Sequence, residues 1–165
     1  MLLTLLPGVA FAQENKEYMI KAAFIYNFVK FIEWPGDKAI AKQSSIDICV
    51  VGGGPMGSTA PIFKQASTSK LALNLMEEES AKSASTHCHV VFLSADADSG
   101  ALAELKGKPI LTVSDKEGFA ESGGMVGFVL ADSKIRFEVN MQAVQASQMR
   151  VDAQLLEIAL KVIGK

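Results

Sequence analysis

Residues 46–66 have the sequence IDICVVGGGPMGSTAPIFKQA, which predicts a strand, a tight turn and a helix in direct succession. The run 46–51 is rich in β-branched residues and ends at glycines, as a buried strand does. Pro55 is compatible with the first turn of a helix, so residues 55–66 can form one. A strand followed at once by a helix is the repeating unit of an α/β sheet.

The remainder of the chain continues this alternation. Further strands are predicted at 71–75, 90–93, 109–113, 125–130 and 135–139. Further helices are predicted at 98–106, 141–147 and 151–162. The last two strands flank a short turn and should pair antiparallel. We therefore predict an α/β fold in a single domain, with a mixed, layered sheet of about six strands.

A long helix is predicted ahead of this alternation. Residues 17–33, EYMIKAAFIYNFVKFIE, contain neither Gly nor Pro and end at Trp34-Pro35-Gly36. Of the four polar residues on the helix after Tyr18, three share one arc and Lys21 lies apart from them. Those polar residues argue against a transmembrane span.

Most of the circumference of this helix is apolar or aromatic. The helix must therefore be covered on several sides, either by its own fold or by a partner. We predict that the surface around Phe24, Phe28 and Phe31 contributes to a partner contact or to a dimer. The alternative is that these three rings belong to the core.

Composition narrows the classes of function. The chain has 165 residues and 49% apolar residues, which suits one globular domain. Its 16 Lys+Arg against 18 Asp+Glu give a net charge of -2, without the basic excess that nucleic-acid binding needs.

The N-terminus indicates export. Residues 1–12, MLLTLLPGVAFA, form an uncharged apolar run that ends in the small-x-small pattern of Ala10-Phe11-Ala12. This is typical of the second half of a signal peptide, truncated at its start because the basic region is missing. Residues 13–165 would then be the exported domain. The alternative is an apolar first helix of the fold.

The two cysteines allow one bridge. Cys49 and Cys88 lie on short apolar runs that we predict to be neighbouring strands, and export would place them in an oxidising space. We therefore predict a disulfide between them. Two free, buried thiols are the alternative.

Two local motifs suggest ligands. Gly52 to Gly57 match G-x-G-x-x-G, and Glu77 follows at the spacing of a dinucleotide fingerprint. A glycine-rich turn without a ligand explains the motif better, because Pro55 removes a backbone donor where a phosphate would need one. The second motif, His87-Cys88-His89, suggests a metal. On a strand the central side chain points away from the other two, so a metal would need remote carboxylates.

No arrangement for catalysis stands out. The sequence has no G-x-S-x-G elbow, and only His87 and His89 could act as a histidine base. Ser114-Asp115 follows a predicted strand, where α/β sites lie, but a turn explains it equally well. We predict no catalytic, cofactor or metal site, and a protein that is not an enzyme.

Several segments in order resemble the YfiR family of small secreted bacterial proteins. These segments are KAAFIYNFVKFIEWP (21–35), CHVVFLS (88–94), ILTVSD (110–115), GGMVGF (123–128), IRFEVN (135–140) and LLEIA (155–159). The chain departs from the family pattern at Gly53 and Gly54, where relatives usually have Asp, and it lacks a C-terminal cysteine pair found in some members. Cys49 and Cys88 match a pair that some members bridge.

The resemblance implies a periplasmic regulator whose single three-layer domain has helices on both faces of the central sheet. Such proteins repress a membrane-bound diguanylate cyclase by binding its periplasmic part, which lowers cyclic di-GMP and biofilm formation, and they can form homodimers. No nucleic acid and no membrane insertion are expected. The alternative is a periplasmic small-ligand-binding sensor module without a cyclase partner.

Overall fold

The computed structural model describes residues 8–164, so residues 1–7 of the predicted signal peptide lie outside it. The helices are α1 Gly8–Phe31, α2 Ala60–Ala66, α3 Ala81–Ala84, α4 Ala101–Leu105, α5 Met141–Ala146 and α6 Ala153–Ile158. The strands are β1 Ile32–Glu33, β2 Ser45–Val51, β3 Ala72–Glu78, β4 Val90–Leu93, β5 Leu111–Ser114, β6 Val126–Ala131, β7 Lys134–Asn140, β8 Arg150–Val151 and β9 Lys161–Ile163. Three short 3-10 helices are Gly36–Lys38, Ile40–Lys42 and Pro55–Thr59.

The central sheet has seven strands in the order β3-β2-β4-β5-β6-β7-β9. Strands β3, β2, β4, β5 and β6 run parallel, and β7 returns antiparallel to β6. Strand β9 adds to β7, while β1 and β8 form a separate two-stranded sheet. The prediction of an α/β class with a mixed sheet is confirmed, with one strand more than the approximate count.

Helices cover both faces of the sheet. Alternate residues of β2 point in opposite directions, so Ile48 and Val50 pack in the core that contains α1, while Cys49 and Val51 pack on the other side. The second side is covered by α3 and α4 through small residues such as Ala84 and Ala101. The prediction of a single three-layer domain is therefore confirmed.

The end of the chain differs from the sequence-based prediction. Residues 151–162 were expected to form one helix, but α6 occupies only six residues between β8 and β9. Val151 pairs with Ile32, and Val162 pairs with Val139 of β7. Backbone pairing with these strand edges satisfies donors and acceptors that would otherwise remain unpaired, and it outweighs the helical spacing of the apolar residues.

Helix α1 begins earlier than predicted and ends two residues sooner, because Ile32 and Glu33 form β1. Buried contacts begin near its middle: residues 10–17 are exposed, and Ala22 and Ile25 are fully buried. Trp34, just beyond the helix, donates its indole N–H to the carbonyl of His89 at 3.2 Å. The second half of α1 is thus fixed on the sheet.

Candidate functional site

The three phenylalanines of α1 have different surroundings. Phe28 is 0% exposed, and its ring centroid lies 5.0 Å from that of Phe137 and 6.0 Å from that of Phe128. Phe28 is therefore a core residue, unavailable to a partner of the folded chain. Phe24 and Phe31 are half-buried and pack against the edge of the same core.

One face of α1 combines these half-buried rings with an exposed residue. Residues at i, i+4, i+7 and i+11 of a helix lie within a narrow arc. On α1 such residues are Ile20, which is 40% exposed, and the half-buried Phe24, Asn27 and Phe31. We call this face the α1 stripe. Three of its four residues are apolar, so it presents a mainly apolar surface to the outside of the domain.

An ionic cluster centred on a buried lysine holds the middle of α1 to the sheet. Lys21 is 3% exposed, and its Nζ donates to Asp115 Oδ2 at 2.7 Å and to Glu17. The hydroxyl of Tyr18 donates to the same Asp115 oxygen at 2.7 Å. Burial and the bond to Asp115 raise the pKa of Tyr18 well above its usual range.

This cluster explains two sequence observations. Lys21 lies apart from the other polar residues of the helix because it faces inward to a carboxylate. Asp115 follows β5, at the carboxyl end of a parallel strand, but its carboxylate is engaged by Lys21 and Tyr18. A partly buried carboxylate with two donors is an anchor for the helix, and no substrate is needed to explain it.

An apolar cleft of about 590 Å³ lies beside the last turns of α1. Most of its lining is apolar and includes Val29, Ile40 and Leu71, while Lys30 and Glu33 place opposite charges at its side. The Lys30 ammonium lies 5.1 Å from the ring centroid of Tyr26. The cleft can accept a small apolar group with a charged end.

The glycine-rich loop lies where the strand order of the parallel sheet reverses, between β2 and β4. Ligands of doubly wound folds bind at this point. Here Gly52 has a φ of 94° and packs against Ser94 and the Ala97 nitrogen, which would lie 2.6 Å from a Cβ at this position. Glu77 lies against Gly57, where a Cβ would be 2.6 Å from its Oε1. The geometry therefore favours the interpretation of a tightly packed turn.

The structure contains a disulfide between Cys49 and Cys88, with a Cα–Cα distance of 6.1 Å. Both cysteines are fully buried. Cys49 is in β2, and Cys88 lies in the turn before β4, so the bond crosses from a strand to the segment that leads into its neighbour.

The prediction that His87 lies on a strand was wrong. Because β4 starts only at Val90, His87 lies in a turn, and its Nδ1 is 3.6 Å from Cys88 Sγ. Its Nε2 lies 2.8 Å from Glu78 Oε1, at the end of β3. The hydroxyl of Ser83 and the imidazole of His87 hold the pKa of Glu78 below its usual range. No spacing rule in the sequence brings Glu78 to this place.

Both ring nitrogens of His89 contact neighbouring residues of the fold. Its Nδ1 accepts from the backbone N–H of Asp47 at 3.1 Å, and its Nε2 is 3.3 Å from Gln43 Oε1. Burial, together with the nearby charge of Lys38, lowers the pKa of His89. A neutral imidazole is therefore built into the packing between β2 and the segment before it.

These features define a disulfide-stapled α/β domain whose outer surface carries an apolar helix face and an apolar cleft. The family model described as YfiR/HmsC-like matches residues 18–160, and the chain belongs to this family. The family is one of periplasmic, regulatory proteins, and membership supports a regulatory role in cyclic di-GMP signalling in general. A search of the curated proteins finds no match.

A solved structure has a similar fold. It is the ABC domain in complex with L-Trp from Streptococcus pneumonia, with a TM-score of 0.52 and 11% sequence identity. The similarity covers 72% of this chain and 55% of that one, so this chain matches about half of that structure's length. At this identity the likeness concerns the fold alone. None of the helices within residues 8–164 combines the length and hydropathy of a bilayer-crossing segment.

Proposed function

We propose that this protein represses a membrane-bound diguanylate cyclase by binding its periplasmic part, and so lowers cyclic di-GMP. The observation that carries the proposal is the family match over residues 18–160. Regulation by contact needs an accessible surface, and the α1 stripe offers an apolar one. The partner surface that we propose is therefore centred on Ile20, Phe24 and Phe31, without the buried Phe28.

The proposal includes export and the absence of enzymatic activity. Residues 10–17 of α1 are exposed, so removal of residues 1–12 would cost the core no contact from the described part of that segment. The contacts of the two histidines support the second part of this proposal. His89 accepts a backbone N–H, and the ring of His87 lies between Glu78 and the disulfide.

The test is a chromosomal deletion followed by complementation. Deletion should raise cyclic di-GMP and biofilm formation, and expression of the exported protein should lower both. The matched control is residues 13–165 expressed without a leader, which should remain inside the cell and leave cyclic di-GMP unchanged. Cyclic di-GMP that is unaffected by the deletion under several growth conditions would contradict the proposal.

Capture of the partner provides a second test. Tagged, exported protein should co-purify a diguanylate cyclase from detergent-solubilised membranes. A second copy of this chain is the competing occupant of the α1 stripe, and light scattering of the purified protein distinguishes a dimer from a monomer.

The cleft beside α1 favours a second candidate function, a small-ligand sensor. A ligand at about 100 times its dissociation constant would add roughly 2.7 kcal/mol to the free energy of unfolding. A thermal-shift screen of small apolar acids and amines should detect such a ligand. Ala41 is exposed and lines the cleft, so Ala41→Trp should fill part of the cleft and abolish the shift without unfolding the domain.

A further inference from the structure

Four side chains with metal-ligating atoms converge around the disulfide. The Sγ atoms of Cys49 and Cys88, a ring nitrogen of His87 and a carboxylate oxygen of Glu78 all lie within 4.8 Å of one another. Cys49 comes from the middle of β2, Glu78 ends β3, and the other two lie in the turn before β4. Separate segments of the fold thus hold potential ligands at one place.

The spacing of Cys88 Sγ and the His87 ring suits two ligands of a tetrahedral zinc ion. Zn–S distances of about 2.3 Å and Zn–N distances of about 2.0 Å place neighbouring ligand atoms roughly 3.3–3.8 Å apart. The Cys88 Sγ lies 3.6 Å and 3.8 Å from the two ring nitrogens of His87. Two thiolates with an imidazole favour Zn²⁺ over the hard cations Mg²⁺ and Ca²⁺, which prefer oxygen ligands.

We propose that the reduced protein binds one Zn²⁺ through Cys49, Cys88, His87 and Glu78. The disulfide and the zinc ion are then alternative states of the same two sulfur atoms. In the oxidised protein the sulfurs are bonded to each other and cannot act as thiolate ligands.

Before zinc can bind, a dithiol reductant must reduce the disulfide between Cys49 and Cys88. A thiolate of the reductant attacks one sulfur of the bridge and forms a mixed disulfide, which the second thiol of the reductant then breaks. Two electrons pass to the protein, Cys49 and Cys88 become thiols, and the reductant leaves as a disulfide. Zn²⁺ then replaces both thiol protons, which go to solvent, and His87 binds as a neutral imidazole.

The residues around the disulfide leave a path by which a metal ion can enter. They also orient the imidazole of His87. The sulfurs are buried, but the side chain of His87 is 38% exposed and that of Glu78 is 17% exposed, so an ion can enter at the His87 edge. Asp47 Oδ2 lies 4.0 Å from His87 Nδ1. A carboxylate near the second ring nitrogen of a histidine ligand is a common means of holding its tautomer and orientation.

The test uses Co²⁺ as the probe, because its thiolate complexes absorb light. The full exported domain is reduced with a phosphine, desalted without oxygen and titrated with Co²⁺. The reduced protein should develop thiolate-to-cobalt charge transfer and the visible bands of a tetrahedral site, and Zn²⁺ should abolish both. The oxidised protein should show neither.

Variants separate this site from adventitious thiol binding. His87→Ala and Glu78→Gln leave both cysteines in place and should each weaken Co²⁺ binding at least about tenfold. The matched control is Glu77→Gln, since this carboxylate lies one residue away against Gly57, and binding should be unchanged. The proposal would be overturned if His87→Ala and Glu78→Gln bound Co²⁺ as tightly as the control Glu77→Gln. It would also be overturned if the reduced wild type showed no thiolate-to-cobalt charge transfer.

Near-ultraviolet circular dichroism shows whether reduction of the disulfide unfolds the domain. If the reduced chain loses its near-ultraviolet circular dichroism, stoichiometric Zn²⁺ should restore the signal, because metal binding to a native site is coupled to folding. Failure of Zn²⁺ to restore it would also overturn the proposal.

Discussion

The Lys21 ammonium on α1 lies 2.7 Å from the carboxylate of Asp115, the residue that follows β5. This contact joins the first helix to the centre of the sheet across 94 residues of chain. Because Lys21 is almost fully buried, its charge requires carboxylate partners, and Asp115 is the one that lies outside the helix. The ion pair therefore fixes where α1 lies, and with it the position of the α1 stripe.

Removal of one member of this pair should destabilise the domain. Lys21→Met leaves the Asp115 carboxylate with the Tyr18 hydroxyl as its remaining side-chain donor, and the loss should approach about 3 kcal/mol. Urea denaturation followed by circular dichroism measures it. Lys16→Met on the exposed part of α1 is the control, with a change below about 0.5 kcal/mol. Equal stability of the two variants would show that the pair contributes little.

Loss of the disulfide should lower the free energy of unfolding by an amount comparable to that expected for Lys21→Met. The bond links residues 39 apart in sequence, so the chain-entropy estimate for its contribution is about 4 kcal/mol. Cys49→Ala combined with Cys88→Ala removes the link without leaving a free thiol. Urea denaturation should show the loss, and mass spectrometry of the unreduced wild type should show that both thiol hydrogens are missing. Full alkylation of the denatured, unreduced wild type would contradict the bond.

Mild acid should destabilise the protein through His89. The unfolded chain takes up a proton near the ordinary histidine pKa of 6.5, whereas buried His89 takes it up only at lower pH. Between these two values the unfolded state binds more protons, so the free energy of unfolding falls as pH falls below about 6.5. His89→Gln should flatten this part of the pH profile, measured as urea midpoints between pH 7 and pH 5. A profile of the same slope in the variant would exclude His89 as the cause.

Local patterns predicted most of the sheet, because each strand has its own signal. The runs that became β2 and β4 are β-branched and bounded by turn residues, and the turn at 131–134 predicted the β6–β7 hairpin. The C-terminal error has a tertiary cause: β8 and β9 exist only because β1 and β7 offer edges to them. Helical spacing was the only signal that the sequence carried there.

The residues around the disulfide also could be predicted only in part from local sequence. A pairing of Cys49 with Cys88 could be predicted from two apolar runs and a count of two cysteines. The approach of His87 and Glu78 could not, since it depends on the residue at which β4 begins and on the register of β3 against β2. Register between distant strands is set by the packed sheet and leaves no spacing rule in the chain.

Export should remove residues 1–12. N-terminal sequencing of periplasmic material, with an upstream basic start restored, should begin at or near Gln13. Loss of the part of this segment that the structure describes should leave the melting temperature almost unchanged, because residues 10–12 are exposed along α1. Periplasmic protein that retains Ala10-Phe11-Ala12 would contradict this prediction.

A charge placed on the α1 stripe should abolish regulation without unfolding the domain. Ile20 is 40% exposed and lies on the stripe, so Ile20→Glu would bring a carboxylate into the proposed apolar contact. We expect the variant to lose co-purification with the cyclase and to leave cyclic di-GMP at the level of the deletion strain.

The neighbouring residue provides the matched control. Met19 is 54% exposed on the same turn, but it lies about 100° around the helix from Ile20, outside the stripe. Met19→Glu should therefore lower cyclic di-GMP as the wild type does, and circular dichroism should show both variants folded. If Ile20→Glu still represses, the contact lies elsewhere; if both variants fail while folded, the contact extends beyond the stripe. Only failure of Ile20→Glu alone agrees with a partner that binds along Ile20, Phe24 and Phe31.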